Sequence, residues 1–136
     1  MAAAVVVDSG LRLTLNAALD RPLFLRLFRN DVPVTVSSTL DAFQTADFTD
    51  YDDLDLTGLF PPAQVDPLGR AFSLLPNLTW TVGAAPDAQT IYGWIMYEEP
   101  DPDSVLIAGR RLTVPYTVNT EGQVIMVSVV IFLLRG

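Results

Sequence analysis

The feature that most limits what this chain can become is its punctuation, because ten prolines and eight glycines divide 136 residues into apolar runs too short for long helices. Proline fixes φ and removes a backbone donor, and glycine weakens element interiors, so each tends to mark a boundary. The runs between them are rich in β-branched and aromatic side chains, which fit a pleated, half-buried surface. The sequence therefore predicts a mainly β protein, an antiparallel β-sandwich or jelly roll, with a short N-terminal helix.

Leu11, Leu15 and Ala18 or Leu19 recur at helical spacing, with Ser9 placed to cap them and Pro22 to stop them. From Pro22 to Arg29 the pattern changes to alternation, with Leu23, Leu25 and Leu27 on one face and Phe24, Arg26 and Phe28 on the other. Two phenylalanines and an arginine do not make a plain solvent face, so cover by the N-terminal helix or by a neighbouring subunit is expected. Between those rings the Arg26 stem is expected to pack and its guanidinium to hold a carboxylate or carbonyl. Asn30-Asp31-Val32-Pro33 breaks the strand, and a polar connection runs to about Asp50 with one helical turn capped by Thr39. Further strands are expected over residues 54–59, 71–75, 78–82, 90–98, 104–108, 112–118 and 123–134, with turns at 60–62, 83–87, 99–103 and 119–122.

The last of these runs is apolar on both faces. Val124, Met126, Ser128, Val130, Phe132 and Leu134 share one, and Ile125, Val127, Val129, Ile131 and Leu133 the other. A half-exposed strand alternates, so this one is expected either to be central and covered twice or to have one face covered by another chain. Phe24, Phe28, Val127, Val129 and Ile131 are the interface candidates, and aspartates at 127 and 129 are expected to spare folding and abolish assembly, with unfolding of the monomer as the alternative if the chain covers both faces itself. One domain, 1–136, accommodates the whole pattern: an arm and short helix over 1–21, core strands over 22–118 and the apolar strand over 119–136.

The chemistry available is narrow. The chain has no Cys, His or Lys, and its eight cations, all Arg, face sixteen acids for a net charge of −8. The usual nucleophiles, proton shuttles and soft metal ligands are missing together. An acidic chain repels phosphate backbones, so no nucleic-acid partner is expected. Arg110-Arg111 reads as a solvated turn, with a local carboxylate contact as the alternative. Residues 1–7 lack the basic region and cleavage site of a signal peptide, and 124–134 is shorter than the roughly 18–20 residues of a membrane helix, so no membrane span is expected.

Asp41, Asp47, Asp50, Asp52, Asp53 and Asp55 form the densest polar run, and clustered carboxylates suit Ca²⁺ or Mg²⁺. Counted from Asp50, however, Asp55 falls where a calcium loop needs Gly and Pro61 where it needs Glu, so an acidic surface loop is the preferred reading and a calcium-binding module the alternative. Glu98, Glu99, Asp101 and Asp103 contain the paired carboxylates of a glycosidase, yet they sit in a proline-interrupted turn. A carboxylate hydrolase is a second alternative. No cofactor, metal ligand set or catalytic residue is assigned. Trp80, Tyr92, Trp94 and Tyr97 read as core, with a sugar-binding surface as the alternative. Gly93, between two aromatics in a strand, marks a bulge, a close backbone approach or a tolerated weak position.

An ordered set of segments resembles a family of small bacteriophage virion structural proteins. Residues 23–35, Leu-Phe-Leu-Arg-Leu-Phe-Arg-Asn-Asp-Val-Pro-Val-Thr, are similar to that family's opening strand, and Thr39 to Tyr51 to its following aromatic and acidic segment. Ile91-Tyr92-Gly93-Trp94 resembles a later strand, and Val105 to Val118 a closing segment. The chain departs from the pattern at Asp50, where the family has Gly, at Arg110, where it has Asp, and in the added run 123–134. The resemblance implies a non-enzymatic virion protein, a capsid decoration or minor head protein assembled in the host cytoplasm. Its implied partners are other virion proteins, the major capsid protein among them, and copies of itself. A tail, baseplate or fibre component touching a host receptor or glycan is the alternative within virions.

Overall fold

In the computed structural model, which describes residues 7–84, 88–99 and 105–133, the chain is mainly β, with one N-terminal helix and seven strands in two antiparallel sheets. The helix α1 spans Asp8–Leu19 and the strands are β1 Leu23–Phe28, β2 Leu54–Asp55, β3 Gln64–Val65, β4 Ala71–Thr81, β5 Gln89–Glu98, β6 Val105–Val118 and β7 Val124–Leu133. One sheet has the order β2-β1-β5-β6 and the other β3-β4-β7. The chain divides into two compact units, one built from segments 7–21, 57–78 and 127–133 and the other from 22–56 and 79–126.

In the first unit, α1 buries Leu11, Leu15 and Leu19, one residue per turn, so Leu19 and not Ala18 completes the stripe. Ser9 lies inside the helix and does not cap it. Val7 occupies that place without a side-chain bond, its carbonyl receiving the Leu11 N–H at 2.9 Å. The Asn16 side chain accepts the Ala63 N–H at 2.8 Å and ties the helix to the approach to β3. A tight turn joins β3 to β4, where the Asp66 carboxylate accepts the Leu68 and Arg70 N–H groups at 3.0 and 2.9 Å and pairs with the Arg70 guanidinium at 2.7 Å. The Arg70 backbone N–H first, and its guanidinium after it, hold the Asp66 carboxyl below the usual carboxylate range.

The expected break between 71–75 and 78–82 is absent, because β4 runs through Pro76-Asn77. Asn77 takes a left-handed φ of 59° and its N–H donates to Ser128 Oγ at 3.2 Å, so the missing proline donor is absorbed within the sheet.

Along β7, Ile125, Val127 and Val129 are buried while Val124, Met126, Ser128 and Phe132 are exposed. Among the described residues the strand ends its sheet and is not central, and the face left open is opposite to the expected one. Leu134 lies outside the described residues.

In the second unit, antiparallel pairing sets Phe24 opposite Tyr97, Arg26 opposite Ile95 and Phe28 opposite Gly93, so these six share one face of the sheet. Leu23, Leu25 and Leu27 fill the other face with no exposure. The aromatic face is covered by the chain's own connection between β1 and β2: Phe43 lies 4.8 Å from Phe28, centroid to centroid, and Val32, Val34 and Leu40 join the same cluster. This intrachain cover replaces the helix or neighbouring subunit that the alternation suggested. The connection does contain a single helical turn, Leu40–Ala42, but Thr39 gives it no side-chain cap and bonds Asp41 at 2.6 Å.

Segments 104–108 and 112–118 also merge, into β6, so Arg110-Arg111 is strand and not turn. Arg111 pairs with Asp31 at 2.6 Å, the carboxylate contact of the alternative reading. Gly93 opposes Arg111 and Ile91 opposes Tyr116, leaving an irregularity in which β6 has the longer path. A Cβ on Gly93 would collide with the Arg110 carbonyl and come within 2.6 Å of the Phe28 ring, so both bulge and close approach hold there.

Candidate functional site

The polar group that the second unit brings together is centred on Asp53. Its Oδ2 accepts Arg26 Nε at 3.0 Å, Arg26 Nη2 at 2.9 Å and the Tyr97 hydroxyl at 2.6 Å, while its Oδ1 accepts the Tyr51 hydroxyl at 2.7 Å. The Tyr51 oxygen in turn accepts the Leu27 N–H at 2.9 Å, closing the group onto β1. The Arg26 guanidinium carbon sits 4.7 Å from the centre of the Tyr97 ring, which stacks on Phe24 at 5.7 Å. Tyr51 stacks on Trp80 at 6.3 Å, and the Trp80 indole donates to the Asp52 carbonyl at 2.9 Å. Arg26 thus behaves as its setting between two phenylalanines predicts.

Burial, then the hydrogen bond and charge of Asp53, push the Tyr51 and Tyr97 phenols well above their ordinary value of 10.0. Burial draws Arg26 downward, but its bond to and attraction by Asp53 outweigh that, so the guanidinium is held charged. Phenols this reluctant to ionise are poor nucleophiles and poor bases at neutral pH, and the Asp53 carboxylate beside them is paired with Arg26. What the cluster does well is fasten the β1–β2 connection to the sheet. An open depression of about 500 Å³ borders it, lined by Phe24, Thr45, Tyr51, Asp52, Asp53, Tyr97 and Glu99.

The remaining carboxylates of the acidic run are dispersed. Asp47 shares a reciprocal bond with Gln89 and meets Arg29 at 3.5 Å, Asp41 bonds Thr39, and Asp50 holds a left-handed φ of 68°. Among the described residues no three metal-ligating side chains gather around one point. Glu98 and Glu99 lie at the end of β5, whereas Asp101 and Asp103 fall outside the described residues. Trp80, Trp94 and Tyr97 are buried and Tyr92 half-buried, which is the core reading and leaves neither tryptophan in an open groove.

Of the interface candidates, Phe28, Val127 and Val129 are buried within the chain itself, while Phe24 and Ile131 are half-buried. The apolar side chains open to solvent include Val114, Tyr116, Val124 and Met126 on β6 and β7 in the second unit and Phe132 in the first, with others, such as Leu13, Val36 and Leu68, scattered over the helix and loops. Two of these are joined directly, the Tyr116 hydroxyl donating to the Val124 carbonyl at 2.9 Å, and Val114 and Met126 lie two residues along the same strands. Residue type did not distinguish them from the buried set, since alternate positions along β7 are equally apolar. Comparison with protein-family models, with curated proteins and with solved structures returned no match.

Proposed function

We propose that this chain is a non-enzymatic structural protein of a bacteriophage virion, a capsid decoration or minor head protein that binds neighbouring subunits, the major capsid protein among them. The observation that carries the reading is the apolar surface of the second unit, where Val114 is 75 %, Met126 58 % and Val124 45 % exposed. Clustered apolar exposure favours burial against another protein. Two sequence features support it: the ordered resemblance to small virion proteins, and a composition without Cys, His or Lys. In this reading the particle is assembled in the host cytoplasm and the chain resides in it.

Density-gradient purification of particles from a lysate producing this chain, followed by mass spectrometry, tests the proposal. The expected result is co-sedimentation with heads, lost in Met126→Asp while the isolated variant stays folded. A compact monomer absent from every particle fraction would overturn it.

A further inference from the structure

The four outer strands of the two sheets differ in how they are protected. β2 and β3 are two residues long, and β6 carries Arg110, Arg111, Pro115 and the irregularity opposite Gly93. Short length, charge, proline and bulges are the devices that keep sheet edges from pairing. β7 has ten residues, none of them charged and none proline, and among the described residues it ends its sheet. We infer that β7 is a self-recognition edge, on which a second copy of this chain adds its own β7 antiparallel across a two-fold axis. The inference rests on the proposed role in assembly and names one of its interfaces.

The geometry restricts the register. A two-fold axis perpendicular to the sheet keeps the buried faces of both copies on one side, so residues opposite one another must belong to the same face of β7. Placing Ser128 on the axis sets Ser128 against Ser128, Met126 against Val130 and Val124 against Phe132. The lone hydroxyl of the exposed face then meets its own copy, and every other pair is apolar. Shifting the axis to Val129 would set Ser128 against Val130 and leave Val124 unpaired.

Charge favours the same occupant. Two copies at −8 repel at a distance, but no charged residue lies between 124 and 133 to set like against like along the ladder.

The absence of cysteine makes the test direct. Ser128→Cys in the full chain, oxidised with diamide, is expected to form a covalent dimer, since opposed strand residues approach within disulfide range. Thr113→Cys on β6 serves as the control and is expected to remain monomeric. By sedimentation, Ser128→Asp, which sets two like charges opposite one another on the axis, should weaken the dimer about 2–5-fold. A chain that is monomeric at about 100 μM, with no cross-link at 128, would overturn the pairing. So would cross-linking at 113 and not 128, or a dimer indifferent to Ser128→Asp. A monomer that still enters particles would overturn the pairing alone and leave the virion role standing.

Discussion

Arg26 and Asp53 lie 27 positions apart, yet their side chains settle one another: neither exceeds about a quarter exposure, and each neutralises a charge the other could not bury alone. Asp53→Asn should therefore cost about 2 kcal/mol in urea unfolding, and Tyr97→Phe, which removes one hydroxyl donor, about 1 kcal/mol. Alkali provides an independent readout. Because the Tyr51 and Tyr97 phenols are raised on folding, their protons are released more readily by the unfolded chain, and stability is full below about pH 10 and declines as pH rises above it. Tyr51→Phe should flatten that decline, and a wild-type stability curve level through pH 11 would contradict the assignment. The sequence announced the arginine through its two flanking phenylalanines. Its partner was invisible, since nothing in a run of six aspartates marks the one that a fold will place against β1.

Strands repeat that lesson at larger scale. Periodicity separates the two faces of β7 cleanly, but Ile125, Val127 and Val129 are no more apolar than Val124, Met126 and Phe132, so composition does not say which side is covered. With the structure, Val127→Asp buries an unpaired charge and should destabilise by about 3 kcal/mol or more, whereas Met126→Asp should stay within about 0.5 kcal/mol; thermal unfolding of the pair separates them. Gly93 was legible as a special position because glycine between aromatics in a strand is costly without a reason. Gly93→Ala must displace the Arg110 carbonyl or the Phe28 ring, and a loss of roughly 1–3 kcal/mol by denaturant titration is expected. The breaks expected at Pro76-Asn77 and Arg110-Arg111 failed for different reasons. Asn77 tolerates a left-handed turn inside a strand, and Arg111 finds Asp31, neither of which local propensity encodes.

For the molecule as a whole, the fold class was readable because proline and glycine spacing, strand propensity and the single helical stripe agree with one another. The distribution of carboxylates was not, since it depends on where the β1–β2 connection is fastened. With the acidic side chains dispersed among Arg, Gln and Thr partners, millimolar calcium should leave the melting temperature within about 1 °C, because a ion that does not favour the native state cannot raise it by mass action. The division into two units adds a temporal consequence. One unit draws on segments 7–21, 57–78 and 127–133, so the helix made earliest belongs with the strand made last. During synthesis at roughly 5–20 residues per second, the unit to which α1 belongs stays incomplete for several seconds, until 127–133 has been made. Ribosome-bound chains halted before residue 127 should consequently be digested by protease within α1, while chains extended past β7 resist.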